Sequence, residues 1–561
     1  MRRWHLGLST SGHDPALALV DESGRVAFAE ASERFLQDKR AWGIAPDHVP
    51  HLEAALATVG FDFGQDQLTV ASSWSGVKAD IPVQVSGALL PASDGQWLRC
   101  LQRSAQENAG ASLMRLGLSE TMPQVRRFDH HLCHAAAACH GAPFSDATCL
   151  VIDGEGDVGA ASLFRMKDRV LKRSWRSWGP GSLGTFYAWL TRQCGFDWRA
   201  GEEWKVMGLA AFGEARPSLV EALAGMIVVD RGRILFADEA FLNAARRAVA
   251  DHARAPDEPV MKAADLAASG QAAYAILVDR LLASVLDQGG GDLVLTGGCA
   301  LNSSYNGTIA TRFPGTNVFV PPAPADDGNA VGAALLSWQA DNPGAPLPQG
   351  DGSAFLGSAA KPQAVDKIAA SAGALRVTRP GDNSAAVLAG LLSRGRIVGV
   401  MRGRAELGPR ALGHRSILAD PRPADMKDRI NGRVKGREAY RPFAPVVPAD
   451  RVAEWFLRDQ ASPYMSFTLP WRGTVKDRVP AVVHADGTGR LQTVAAGTNA
   501  WMASLLEEVE RVTGLPIVLN TSFNIMGKPI VHSAEDAMAV LMTTGLDAVL
   551  VEDLLVEKDP A

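Results

Sequence analysis

The chain has 561 residues, 56 Lys+Arg against 61 Asp+Glu for a formal net charge of -5, and 47% hydrophobic residues. That length exceeds one ordinary core and predicts at least two domains, in a folded enzyme rather than a disordered chain. The acidic balance gives no global attraction for nucleic acid or anionic lipid, no apolar run reaches the ~20 residues of a membrane span, and the six cysteines contain no CxxC pair. A cytoplasmic protein with reduced thiols, and with neither nucleic acid nor membrane as partner, is expected.

The opening HLGLSTSGHDPALALVDESGRVAFAEASERF breaks its apolar runs at Ser-Gly and Glu-Ser-Gly, which predicts two or three strands joined by tight turns. FDHHLCHAAAACHGAPF is rich in good helix formers and predicts a helix. TCLVIDGEGD (148–157) followed by ASLFRM repeats the strand–turn–strand design of the N-terminus. Apolar spacing predicts an amphipathic helix over 263–288, leading through glycines into a strand, DLVLTGG. The stretch 340–362, dense in Pro, Gly, Ser and Asp, marks the boundary between domains 1–355 and 356–561. Beyond it, strand-like GRIVGVM, RPFAPVVP, PIVLN and LDAVLVED alternate with helical stretches around 425–431 and in DAMAVLMTTG, so the second domain is also mixed α/β.

His130 and His134, four apart on the expected helix, point from one face toward one ion. An isolated pair at this spacing is structural about as often as it is ligating. Asp153 in VIDGEG and Asp326 in PPAPADDGNAVGAA add two carboxylates, a donor set suited to iron, manganese or zinc. His131 and Asp327 are the neighbours to be distinguished from them. The glycine turns SGHD (11–14), DGEGD (153–157) and TGGCALN (296–302) are weak signals singly. Together they suit an actin-like ATPase, whose turns surround phosphates with backbone N–H groups, and no GxxxxGK[ST] loop is present. In the second domain, arginines within GRAELGPRALGHRSILADPR and NGRVKGREAYRPFAP, with Arg490 and Asn520 beyond, are interrupted by Gly and Pro. The arginines are expected on loops, where planar guanidinium forks match phosphate oxygens.

SGHDPALALV, ASERF, HHLCHAAAA, VIDGEG, GEEWKVMGLAAFG, LTGGCALNSSYNG, PPAPADDGNAVGAA, GRAELGPRALGHRSILADPR, REAYRPFAP and LNTSFNIMGKPIV occur in this order over nearly the whole chain. In these motifs it resembles the NodU/CmcH family of O-carbamoyltransferases. The resemblance implies an α/β protein with an N-terminal actin-like ATPase domain of TsaD type and a C-terminal YrdC-like domain. It implies that carbamoyl phosphate and ATP give carbamoyl adenylate, whose carbamoyl group passes to a hydroxyl of a small natural product. Carried over by motif, His130, His134, Asp153 and Asp326 bind the metal, Fe2+ first among the candidates with Mg2+ as a further one. His13 is the base, Lys39 contacts the acceptor, and Gly297, Gly298, Asn302 and Lys205 bind ATP. Arg410, Arg441, Arg490 and Asn520 bind carbamoyl phosphate. Two other readings are open on sequence alone: threonylcarbamoyl modification of tRNA, and a non-catalytic nucleotide-binding protein.

Overall fold

The computed structural model describes residues 2–75, 88–230, 233–286, 290–371, 373 and 375–558. Residues 287 and 288, where the helix expected over 263–288 ends, and 559–561, the end of the expected second domain, lie outside them. Contacts divide the chain into two compact units, one of Met1–Glu33 with Arg40–Gly352 and one of Arg34–Lys39 with Ser353–Ala561. Among the described residues, no helix is long and apolar enough to cross a membrane.

The first unit carries the same sheet plan twice. β1 (Arg3–Leu8), β2 (Ala16–Val20) and β3 (Val26–Ala31) form an antiparallel meander, and β4 (Gln67–Ser72) and β5 (Arg126–Arg127) add in parallel beyond β1. In the second sheet β6 (Ala147–Ile152), β7 (Ala161–Lys167) and β8 (Val170–Arg176) make the meander. After the separate hairpin of β9 (Ile227–Asp230) and β10 (Arg233–Phe236), β11 (Gly291–Thr296) and β12 (Thr316–Phe319) add in parallel beyond β6. The orders β3-β2-β1-β4-β5 and β8-β7-β6-β11-β12 therefore match strand for strand. β2, β3 and β6 are buried along their whole length, and β2 and β6 accordingly read as apolar runs rather than as alternations, while β3 carries the buried Glu30.

Four helices of this unit matter for the site: α1 (His130–Gly141), α2 (Leu183–Gln193), α3 (Ala264–Val285) and α4 (Asn329–Asp341). Asp129 caps α1 by accepting the Leu132 N–H at 3.0 Å. α4 is buried from Asn329 to Ser337, and its small residues let neighbours approach at backbone distance. A Cβ on Gly7 of β1 would lie 1.9 Å from the Ala330 carbonyl oxygen, and one on Gly332 of α4 would lie 2.0 Å from that of Cys133 on α1.

The second unit is built on a nine-stranded sheet. Its strands are β13 (Arg376–Thr378), β14 (Val398–Met401), β15 (Arg415–Ala419), β16 (Ala444–Pro448), β17 (Phe467–Pro470), β18 (Thr488–Val494), β19 (Val518–Ser522), β20 (Ala548–Val551) and β21 (Leu554–Glu557). They lie in the order β13-β21-β20-β14-β15-β19-β16-β18-β17, with mixed parallel and antiparallel pairs. The helices Ser384–Ser393 and Ala500–Thr513 cover one face, joining Leu388, Leu392, Leu505 and Val509 to the strand residues Val398, Val446 and Val518. The stretch expected to be helical around 425–431 is α-helical over Met426–Arg429 and continues as a π turn over Ile430–Lys435.

Candidate functional site

His130, His134, Asp153 and Asp326 are brought together in the first unit, with one ligand atom of each within 4.8 Å of all the others. His130 and His134 come from the first two turns of α1, Asp153 from the end of β6, and Asp326 from the short turn that opens α4. His130 Nε2 lies 3.1 Å from Asp153 Oδ2 and 3.4 Å from Asp326 Oδ1, and His134 Nε2 lies 3.2 Å from both carboxylates. Ligand bonds of about 2.1 Å in a tetrahedral site place donors about 3.4 Å apart, so this spacing fits a borderline divalent ion. The imidazoles are preset for it. His130 Nδ1 faces the Ser73 carbonyl at 3.2 Å, which draws the Nδ1 proton and leaves the Nε2 lone pair toward the cluster. Trp74 stacks on the same ring with centroids 4.1 Å apart, and the Gly298 N–H donates to Asp153 Oδ1 at 3.0 Å. Burial disfavours charge on both imidazoles, but Asp326 and Asp153 outweigh it and hold His130 well above, and His134 above, the ordinary histidine value. The carboxylates thus hold positive charge between them, as imidazolium or as a bound cation that displaces the protons.

His13 adjoins this cluster, its Nε2 3.7 Å from Asp326 Oδ2. Its Nδ1 lies 2.9 Å from Asp14 Oδ2, and Arg40 in turn bonds Asp14 at 2.8 Å. Burial raises the Asp14 carboxyl, yet Arg40 and His13 overcome it and lower the value to about 2. An ionised Asp14 accepting Nδ1–H leaves His13 Nε2 with its lone pair free to take a proton.

In the second unit, Arg410, Arg437, Arg441 and Arg490 converge on one electrostatic neighbourhood. Burial lowers the Arg490 guanidinium well below its ordinary value, and the positive charges of Arg410, Arg437 and Arg441 lower it further. Burial alone takes Arg410 down to about 10, and burial with Arg441 takes Arg437 to about 9. Lys435 is also lowered, by burial and by Arg437 and Arg441, while its ammonium donates to Ser522 and to Asn524 Oδ1 at 2.7 Å. Asn520, fully buried on β19, donates its amide to the Ala411 carbonyl at 3.0 Å and to Gln492 Oε1 at 2.7 Å. Those two acceptors fix which end is nitrogen, and Oδ1 is left as a buried acceptor with no donor among the described residues.

The sequence matches the Carbamoyltransferase N-terminus over residues 94–335 and the Carbamoyltransferase C-terminus over residues 389–558. The chain belongs to the carbamoyltransferase family. This carbamoyltransferase is 36% identical to Nodulation protein NolNO of Sinorhizobium fredii over 81% of the chain and 67% of the relative. It is 30% identical to Nodulation protein U of Bradyrhizobium diazoefficiens over 92% of the chain and 91% of the relative. An uncharacterized protein of Synechocystis sp. is 30% identical over 99% of the chain and 96% of its own length. The protein is an enzyme that transfers a carbamoyl group.

Other residues singled out in the carbamoyltransferase sequence fall in more varied surroundings. Gly297 has φ +89°, and a Cβ there would lie 2.3 Å from the Ile152 carbonyl oxygen, so the turn into Gly298–Leu301 requires glycine. Asn302 caps the helix Ser303–Arg312 by accepting from the Tyr305 N–H at 3.1 Å, and its amide pairs twice with Gln271 of α3. Lys205 is ion-paired with Glu202 at 2.6 Å. Lys39 lies on the turn after the short helix Ser32–Leu36, in the segment grouped with the second unit. His131 turns away from the metal-type cluster: Nδ1 pairs with Ser162 Oγ at 2.9 Å, and burial lowers the ring to about 3, so it stays neutral. Arg410 and Arg441 lie on loops as expected; Arg490 lies on strand β18, a correction to the loop placement, and Asn520 lies on β19, within the strand expected at PIVLN. Arg490 shares one face of β18 with Gln492, two residues on, and Gln492 accepts from the Asn520 amide of β19. Sequence reading passed over Arg437 and Lys435. The signal for them was the charged run between Gly432 and Gly436 and beyond, NGRVKGREAYR.

Proposed function

We propose that this carbamoyltransferase is ATP-dependent and carbamoylates a hydroxyl of a small natural product through carbamoyl adenylate. The observation that carries the reading is the guanidinium group around Arg490. Four buried guanidiniums gather here with Glu438, 3.5 Å from Arg441, as a carboxylate partner, and carbamoyl phosphate or the triphosphate of ATP supplies further anionic oxygens with bidentate geometry. Asn520 Oδ1 then accepts from the carbamoyl N–H, which ties recognition to the amide end of the donor.

In this scheme water attacks carbamoyl phosphate among these arginines and the bond between the carbamoyl group and phosphate breaks, giving carbamate and phosphate. A carbamate oxygen attacks the α-phosphorus of ATP and expels pyrophosphate, giving carbamoyl adenylate. In the first unit the acceptor hydroxyl attacks the carbamoyl carbon, His13 Nε2 takes its proton, and the bond to the phosphate oxygen breaks to release AMP. Asp14 orients His13 and stabilises the imidazolium that forms. His130, His134, Asp153 and Asp326 are the residues that would hold a divalent ion, Fe2+ foremost, which when bound supplies Lewis acidity for a phosphate leaving group. The repeated sheet plan supports an actin-like, TsaD-type assignment for residues 1–355 with ATP at the Gly297–Gly298 turn, and residues 356–561 take the YrdC-like role. Lys39 is assigned to the acceptor and Lys205 and Asn302 to the nucleotide on motif alone.

Supplying carbamoyl adenylate directly tests the division. Arg441→Ala and Asn520→Ala are expected to lose transfer from carbamoyl phosphate by about 30-fold or more, yet to use supplied adenylate normally. His13→Ala is expected to fail with both donors. Arginine and asparagine variants that stay folded by circular dichroism but are equally inactive with supplied adenylate would contradict it.

A further inference from the structure

We infer that Asn329 is a positioning residue for the metal-type cluster: its side-chain oxygen accepts the Nδ1 proton of His130 and so keeps the Nε2 lone pair aimed at the ion. This rests on the reading of His130, His134, Asp153 and Asp326 as the ligands and adds a residue outside their number. Asn329 is the first residue of α4, three after Asp326, and is fully buried. The start of α4 thereby grips one imidazole from both sides. Asp326 Oδ1 lies 3.4 Å from His130 Nε2, and the Asn329 amide lies 3.3 Å from His130 Nδ1. Backbone packing three residues further on, where Gly332 lets α4 close on the Cys133 carbonyl of α1, holds the amide in that place.

Helix formation does not account for this asparagine. Gly328 occupies the cap position of α4 and no side chain bonds there, so Asn329 does no capping, and asparagine is a mediocre helix former. A buried amide is costly unless it is hydrogen-bonded. Among the described residues, the one hydrogen-bonding neighbour of this side chain is His130 Nδ1. That neighbour decides which way the amide faces. Nδ1 also faces the Ser73 carbonyl at 3.2 Å, which can only accept, so Nδ1 carries its proton. With its nitrogen toward the ring, Asn329 would set one donor against another and leave Oδ1 buried with no donor among the described residues. With the amide turned over, Oδ1 shares the Nδ1 proton with Ser73 and the conflict is removed. The ring is held against turning away. Trp74 stacks on it with centroids 4.1 Å apart, and Asp157 accepts the His130 backbone N–H at 2.6 Å and that of Ser75 at 3.0 Å, tying the start of α1 to the segment that carries Ser73 and Trp74.

Co2+ titration of the full chain against a competing chelator, with coordination read from the visible d–d bands, tests the assignment. Asn329→Leu keeps the volume and removes the acceptor; it is expected to bind Co2+ about 10- to 100-fold more weakly, with altered bands. Asn329→Asp keeps the acceptor and removes the donor; it is expected to bind at least as tightly as the wild type, because a carboxylate accepts Nδ1–H more strongly and raises the basicity of Nε2. A side chain that only filled space, or that donated to the ring, would leave the aspartate variant as weak as the leucine one. Wild-type affinity in folded Asn329→Leu, or equal loss in Asn329→Asp, would overturn the inference. Should the leucine variant fail to fold, the aspartate variant decides by the same criterion. A wild-type chain that binds no Co2+ overturns the ligand assignment together with this inference, whereas Co2+ binding indifferent to both substitutions overturns this inference alone.

Discussion

His130 Nε2 and His134 Nε2 each touch both Asp153 and Asp326, so no member of the cluster can be removed without leaving a buried charge short of a partner. His130→Ala and Asp326→Ala are each expected to purify folded with most of the metal gone, as elemental analysis would show. Full metal content in both would place the ion elsewhere. The clustering of these four residues was legible because their signals are local: HxxxH within one helix, and an acid beside glycine at a strand end or turn. His5 was not singled out, and it gives the first unit a pH response. It is 1% exposed, its Nδ1 is 3.0 Å from Ser337 Oγ, and burial, opposed by Asp341, lowers it to about 4. The unfolded chain binds a proton that the native one refuses between pH ~6.5 and ~4. Its neutral form therefore costs nothing above that window, and stability falls by up to about 3 kcal/mol as the pH drops through it. His5→Gln keeps a hydrogen-bonding side chain without the proton and should shrink the difference between urea midpoints at pH 7 and pH 5; an unchanged difference would exclude His5.

At the scale of elements, α4 positions the site by being thin. Gly7 and Gly332 let it lie against β1 and α1 at backbone distance, and its N-terminal turn then carries Asp326 to the two histidines. Gly332→Ala would drive a methyl group into the Cys133 carbonyl and shift α1. It is expected to destabilise the protein by about 2 kcal/mol and to lower its metal content, read by urea denaturation and elemental analysis. A variant with wild-type stability and metal would show that α1 and α4 have slack. The pattern HHLCHAAAAC announced α1 through helix propensity, and continuous apolar runs announced β2 and β6. The placement of Arg490 was misread because Gly and Pro around the arginines imply loops, whereas the flanking residues of β18 decide it through long-range pairing.

Over the whole molecule, the least legible feature is the segment Arg34–Lys39, which joins the second unit from the N-terminal end of the chain. Arg34 is 2% exposed, donates to the Gly408 carbonyl at 2.6 Å and lies 3.6 Å from Glu406, and Gln37 donates to the Ile530 carbonyl at 3.0 Å. Nothing local in SERFLQDK encodes partners several hundred positions away. The repeated strand–turn–strand plan was visible, by contrast, because each copy is contiguous in sequence.

Adenylate chemistry is tested most directly by the nucleotide product. The purified carbamoyltransferase is incubated with ATP and hydroxylated acceptors, with and without carbamoyl phosphate, and nucleotides and pyrophosphate are quantified. ATP consumption that depends on carbamoyl phosphate and yields AMP and pyrophosphate in equal amounts is the expected result; stoichiometric ADP would contradict it.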